Sequence, residues 1–303
     1  MKYKVLLDTD IGDDIDDAFA LALSLKSEEI DLVAVTTVFR NTLKRAKQAK
    51  QLIASLNRNV PVYAGEGMPA DGTIPKFSHD TEGDLLKTVP CQYDETMDRY
   101  DVLQSADQAI IDYAEKYKGE LIVVTIGAMT NLYKAIKKDP SVTAKIKKVV
   151  SMGGWFTNFV PEWNILCDPV AVQGVLDSGL NINFVGLDVT LKCPLDANLL
   201  DDFRQSDDES NKLIVKWLDR WFDAFKFEKS VMHDPLAVAS LISDVCDFKT
   251  VYARVVLSGN NRGAIEVKSV ETEGYKPVNV ALSVDKDKFY SVIRDKMLVN
   301  KTN

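Results

Sequence analysis

The chain has 303 residues, 46% of them hydrophobic, and carries 37 basic against 45 acidic residues, for a net charge of −8 and a pI near 5.0. That length and apolar content allow one large α/β core, and the acidity excludes nucleic acid and anionic membrane as main partners. The four cysteines (Cys91, Cys167, Cys193, Cys246) show no CxxC spacing, and no apolar run reaches membrane-spanning length or opens the chain as a secretory leader, so a cytoplasmic protein with reduced thiols is expected.

Val5-Leu6-Leu7 reads as a buried parallel strand, followed by an acidic loop and an apolar helix from Ala18 to Leu23. Leu32–Val38 is a second buried strand, Asn41–Leu56 an amphipathic, Lys-rich helix, and Pro61–Gly65 a short strand. Residues 66–100 lose the rhythm, and a loop of that length in a compact domain is usually functional. Then come a helix over Ser105–Tyr117, a strand over Leu121–Ile126, a helix from Thr130 to the break at Pro140, a strand over Lys148–Met152, a helix over Pro169–Ser178 and a strand over Ile182–Leu187. After Leu195 the pattern is mostly helical, with aromatic-rich Leu213–Phe225 and a helix over Pro235–Ile242. Strands return at Val251–Leu257, Ala264–Val270 and Val278–Ser283, with Gly259 and Gly263 bracketing a hairpin turn and a last helix closing the chain. Alternating strand and helix predicts a single α/β domain over 1–303. The expected architecture is a Rossmann-like, mostly parallel twisted sheet with helices on both faces and a few C-terminal strands.

The densest chemistry lies in Asp8–Asp17, where six aspartates fall in ten residues: Asp8, Asp10, Asp13, Asp14, Asp16 and Asp17. Acids this close repel and need a counter-charge to be buried together. Capping of the following helix accounts for one or two of them, not six. They sit where a strand ends, which is where open α/β sheets bind ligands, and oxygen-rich clusters suit hard cations such as Ca2+ or Mg2+. The spacing is neither an EF-hand nor a P-loop.

Other strand ends carry further polar motifs. They are Asn41; Ile126-Gly127-Ala128-Met129-Thr130-Asn131; Gly153-Gly154 with Pro161-Glu162-Trp163-Asn164 and Cys167-Asp168-Pro169; Asp188-Val189-Thr190; and Met232-His233-Asp234-Pro235. In this order, from first strand to last helix, the set resembles the nucleoside hydrolase family of the inosine-uridine preferring type. The resemblance implies hydrolysis of the N-glycosidic bond of ribonucleosides to free base and ribose, in purine and pyrimidine salvage, by a homodimer or homotetramer. It also implies one Ca2+ ion held by Asp10, Asp17, the main-chain carbonyl of Ile126 and Asp234, with a water on that ion as nucleophile. Asp10 would take the water's proton, and His233 would assist departure of the base. Asp16, Asn41, Glu162 and Asn164, with Asn158 and the His79 loop as weaker matches, would bind substrate. Such a reaction passes through an oxocarbenium-like sugar, and anchoring ribose directs binding energy to the anomeric carbon.

The chain departs from the family pattern at Ile11, where proline is usual, at Arg40, where glycine is usual, and at Leu191, where histidine is frequent; the acidic loop is two residues longer, leaving Asp13 and Asp14 without assigned roles. Plainer readings stand beside these roles. Asp234 and Asn41 could be helix caps, Asn164 a turn residue, Glu162 a solvated acid, and Asp168-Pro169 a cap with its first helical residue. Asp188 could support the site without touching substrate. Trp217, Trp221, Phe222, Phe225 and Phe227 read first as helix core, with Trp155, Phe156 and Trp163 nearer the site. Two rival functions use the same acids: a haloacid-dehalogenase-type Mg2+ phosphatase with Asp8 as nucleophile and Asp10 as acid/base, and a non-catalytic nucleoside or sugar binder.

Overall fold

The computed structural model describes residues 2–76, 80 and 83–299. Strand β1 (Tyr3–Thr9) leads into helix α1 (Asp16–Lys26), then β2 (Ile30–Thr37), α2 (Thr42–Ser55) and β3 (Val62–Ala64). After the irregular stretch come β4 (Leu103–Gln104), α3 (Ala106–Lys116), β5 (Leu121–Thr125), α4 (Thr130–Lys138) and β6 (Ile146–Met152). The short α5 (Trp163–Cys167) precedes α6 (Pro169–Asp177), β7 (Ile182–Val185) and the one-turn α7 (Leu187–Thr190). Helices α8 (Ala197–Arg204), α9 (Glu209–Phe225) and α10 (His233–Ile242) follow, then β8 (Cys246–Val255), β9 (Ile265–Lys268), β10 (Lys276–Val284) and α11 (Lys286–Ile293).

The ten strands form one sheet in the order β4-β3-β2-β1-β5-β6-β7-β10-β8-β9. Every pairing from β4 to β10 is parallel, and only β8 against β10 and β9 is antiparallel. This is the expected α/β architecture. The chain steps outward from β1 to β4, then returns to lay β5 on the other side of β1. That reversal opens a crevice beyond the carboxyl ends of β1 and β5, where doubly wound sheets bind their ligands.

Alternation along β1 divides the core. Val5 and Leu7 join one apolar layer with α1, α2, α9 and α10, whereas Leu6 faces a second layer with α3, α4 and α6. Helix α1 is apolar all round from Ala18 to Leu23 because it is covered on every side, including by α10. That packing brings the first turns of α1 and α10 together.

Several short elements lacked a sequence signal. The 66–100 stretch contains two 3-10 turns, Leu85–Lys87 and Glu95–Arg99, each capped by an aspartate. β8 begins at Cys246, five residues earlier than its apolar run, because its first half is half-exposed and alternates. α10 starts at His233 rather than Pro235. Among the described residues no helix is long and apolar enough to cross a membrane.

Beneath the crevice, Asn131 joins three strand ends. Its amide donates to the Asp8 carboxylate (2.7 Å) and to Thr37 O (3.0 Å), and its oxygen accepts from Glu66 N (2.9 Å). All are buried or half-buried, so removing the amide strands several polar groups. Asn131→Ala is expected to destabilise the protein by on the order of 3 kcal/mol in urea unfolding, with unchanged dependence on denaturant.

Candidate active site

The loop between β1 and α1 carries most of the acids. Thr9 closes it by accepting from Ile11 N (3.1 Å) while its hydroxyl donates to the Asp17 carboxylate. Asp16 and Asp17 sit in the first turn of α1, where the helix N-terminus favours negative charge. Across from them, Asp234 lies in the first turn of α10, and its N–H donates to the Asp16 carboxylate (3.1 Å). One oxygen from each of Asp16, Asp17 and Asp234 lies within 4.8 Å of the others, and all three residues are buried. Asp10 lies outside that group but lines the same cavity of about 410 Å3.

β5 closes the other side of the crevice. Ile126 lines the cavity, and its carbonyl accepts from the Asn164 amide (3.1 Å). Gly127 packs under Asp10: a Cβ there would stand 2.7 Å from the Asp10 carboxylate and 2.9 Å from Val38. Glu162 caps α5, accepting from Gly154 N (3.0 Å), Asn164 N (2.8 Å) and Ile165 N (3.1 Å). It is a buried cap facing the cavity, not a solvated acid. Asp234 is not the N-cap of α10, which begins one residue earlier, so its carboxylate is left to face the other acids.

Another part of the cavity lining is apolar and aromatic. Met152, Trp163, Leu187, Trp221, Phe225 and Phe227 supply this apolar part of the lining, and His233 lines the cavity too. Trp217 is fully buried core, as the helix pattern suggests, but Trp221, Phe225 and Phe227 reach the cavity from α9 and the turn after it. Phe156 instead packs on Phe184, 5.2 Å between ring centres.

Eight of the expected site residues therefore converge on one cavity: Asp10, Asp16, Asp17, Ile126, Glu162, Asn164, His233 and Asp234. Asn41 stands apart as the cap of α2, accepting from Lys44 N (3.3 Å) and donating to Lys87 O (3.4 Å). Asn158 is exposed on the 155–160 loop and does not line the cavity. His79 lies outside the described residues. Asp168 caps α6 through Ala171 N (2.9 Å) and also holds Ala70 N (2.8 Å) and the Thr130 hydroxyl (2.7 Å). Asp188 supports the site from outside, accepting from Phe156 N and Thr157 N, both at 2.9 Å. Arg40, where the resemblance expects glycine, has φ of +57°; its buried guanidinium offsets the strain by pairing with Asp80 at 2.6 Å.

Two supports of the acidic loop went unread in the sequence. Arg45, from α2, is fully buried and donates to Phe39 O (2.9 Å), Ile11 O (3.0 Å), the carbonyl of Asp10 and the Asp13 carboxylate (2.6 Å). Gln92 is also buried; its amide donates to Asp13 O (3.1 Å) and Asp14 O (2.6 Å), and its N–H to Gly12 O (3.2 Å). The two extra loop residues thus have a structural use: Asp13 partners Arg45, and both carbonyls seat Gln92. The spacing of Arg45, Ala49 and Leu52 on the buried face of α2 was the available signal. Gln92 lies in the stretch with no period at all.

Burial dominates the titration of these acids. Asp10 is pushed up to about 7, against the pull of Arg45, and Asp14 to about 6. Asp16, Asp17 and Asp234 are held well above the usual carboxylate range by burial and then by one another. Burial lowers His233 to about 4, so its ring is neutral at physiological pH. A cluster of buried oxygens with Arg45 as counter-charge fits a hard divalent cation. Asp8 is different: it is wholly buried under the loop, bonded to Thr36 and Asn131 (both 2.7 Å), and does not line the cavity. It cannot reach a substrate as a nucleophile must, which removes the phosphatase reading.

A carboxyl whose pKa is raised by folding binds its proton more tightly folded than unfolded, so stability falls as pH rises from the unfolded value near 4 through the folded value near 7. Chelator-treated protein is expected to melt at lower temperature at pH 8 than at pH 5.5, and an added hard divalent cation to raise the melting temperature more at pH 8; a pH-independent cation effect in calorimetry would contradict this. Arg45→Met leaves Asp13 and three carbonyls without their buried donor and is expected to cost about 3–5 kcal/mol in unfolding free energy.

The comparisons agree with this geometry. The sequence profile described as inosine-uridine preferring nucleoside hydrolase matches residues 5–291. A probable uridine nucleosidase 2 of Oryza sativa subsp. japonica is 30% identical over 316 residues, covering 96% of this chain and 92% of that protein. An inosine-uridine preferring nucleoside hydrolase of Crithidia fasciculata is 28% identical, covering 97% of each. Among solved structures, a plant nucleoside hydrolase superposes with a TM-score of 0.82 at 25% identity, covering 99% of this chain and 100% of that one. A purine-preferring ribonucleoside hydrolase from Gardnerella vaginalis gives 0.80 at 27% identity, covering 97% of each. With its profile spanning nearly the whole length and its acids gathered at the β1/β5 crevice, the chain belongs to the inosine-uridine preferring nucleoside hydrolase family.

Proposed function

We propose that this cavity hydrolyses the N-glycosidic bond of ribonucleosides, releasing ribose and free base. The observation that carries the reading is the division of one cavity's lining between carboxylates and aromatic rings, with His233 among the lining residues. A nucleoside has the same division: a hydroxyl-rich sugar that carboxylates can grip, and a flat base that stacks on rings.

Asp10, Asp17, Asp234 and the carbonyl of Ile126 are the proposed holders of a Ca2+ ion, which when bound would supply positive charge toward a water and the sugar hydroxyls. Asp10 accepts the proton of the attacking water; Gly127 leaves no slack beneath it, so its carboxylate is held at the cavity wall. Asp16, with one oxygen tied to Asp234 N, lines the cavity and is the proposed partner of a ribose hydroxyl. Asn164 and Glu162 grip the sugar from the β6 side; Glu162's bonds to three N–H groups fix its position before substrate arrives. His233, neutral by burial, serves the leaving base as a hydrogen-bond donor rather than as a charged acid. Trp221, Phe225 and Phe227 cover the base. The proposed setting is the cytoplasm, with the protein a homodimer or homotetramer acting in nucleoside salvage.

Ribose release from inosine, uridine, cytidine and adenosine, with and without a Ca2+ chelator, tests this. Wild type is expected to release ribose, chelation to abolish it with recovery on added Ca2+, and Asp10→Ala to lower kcat by roughly 10²–10⁴-fold. Cleavage of a phosphate ester with no release of ribose would overturn the proposal.

A further inference from the structure

His233 can help a base leave only if a proton faces that base, and a neutral imidazole carries just one. The neighbour that decides which nitrogen holds it is Thr190. Nδ1 of His233 lies 2.8 Å from the Thr190 hydroxyl. Thr190 is fully buried at the end of α7 and does not line the cavity, whereas His233 does. With Nδ1 occupied on that side, Nε2 is the nitrogen available to a ligand.

Backbone bonds set this contact. Thr190 N donates to Gly186 O (3.1 Å), and Thr190 O accepts from Cys193 N (2.9 Å). From there the chain is laced to the approach of α10: Met232 N donates to Cys193 O and Leu195 N to Ser230 O, both at 2.9 Å, with Pro194 bridged to Val231. The residue just before His233 is therefore fixed against the segment that carries Thr190. A β-branched side chain adds stiffness about its own first torsion.

Direction follows from hydrogen-bond accounting. Among the described residues, Nδ1 is the one hydrogen-bond partner of the Thr190 hydroxyl. If Nδ1–H donated to Thr190, the hydroxyl hydrogen would be buried with no acceptor, which is unfavourable. If the hydroxyl donates, its hydrogen is used and Nδ1 is satisfied as acceptor. Resting on the hydrolase reading above, we propose that Thr190 is a positioning residue for the leaving group: its hydroxyl donates to Nδ1 of His233 and keeps the ring proton on Nε2, where it meets the departing base. The base accumulates negative charge as its bond to the sugar breaks, and an Nε2–H already aimed at it needs no reorientation.

The chain has two histidines, His79 and His233, so nitrogen NMR of 15N-histidine-labelled protein reads the tautomer directly, with His233→Gln providing the assignment. Wild type is expected to show Nε2–H, and Thr190→Val to lose that preference. In kinetics, Thr190→Val is expected to lower kcat on inosine and uridine roughly 10–100-fold with KM within about twofold. 4-Nitrophenyl riboside, whose leaving group needs no donor, should lose less than about threefold, and Thr190→Ser should recover most of the nucleoside rate. An Nδ1–H wild type, or equal losses on both substrate types, would overturn the proposal. A wild type that shows Nε2–H but cleaves no nucleoside would sink the hydrolase reading and leave the hydrogen-bond direction intact.

Discussion

Gathering carboxylates in a buried crevice is the constraint from which the rest of this structure follows. Asp10, Asp16, Asp17 and Asp234 face one cavity, and burial disfavours their charged forms. The protein answers with Arg45, whose guanidinium is locked from behind by three carbonyls and by Asp13. One buried cation leaves the cluster acidic while allowing the loop to be held. The remaining charge is what makes the site a receptor for a hard cation.

Sheet topology places that loop. Because β1 lies between β2 and β5, the residues leaving its carboxyl end emerge where the sheet changes its winding direction. α1 and α10 then pack side by side, and their first turns deliver Asp16, Asp17 and Asp234 from positions more than 200 residues apart. The same encounter sets His233 at the cavity boundary, one residue before Asp234 on α10. The carboxylate cluster and His233 are therefore mechanically linked through one helix start.

The longer acidic loop illustrates how a departure from a family pattern is absorbed. Two added residues would normally loosen a loop, but Asp13 and Asp14 are held through their carbonyls by Gln92 and through one side chain by Arg45. Gln92 in turn is held by Arg220 of α9 (2.9 Å to its carbonyl), the helix that carries Trp221 and Phe225 into the cavity. The acidic loop and the aromatic helix thus share a support in the stretch that looked least organised.

Strand and helix periodicity, the acid-rich turn and the order of polar motifs after each strand were legible from residues alone, because each is a local pattern of burial or charge. So was the identity of most cavity-lining polar residues, from Asp10 to Asp234. Tertiary structure decided the rest, where two chemically equal roles competed. Asn41 proved a cap because its side chain turns back onto α2, while Glu162 caps and faces the cavity at once. Asp8 is sealed beneath the loop while Asp10, two residues on, lines the cavity, because β1 ends at Thr9 and Asp10 has already left the strand's alternation. Trp217 and Trp221 differ in fate by one helical turn, one in the core and one at the cavity, which no apolar pattern distinguishes. Local sequence sets what a side chain can do; which neighbours it meets is set only when distant elements pack.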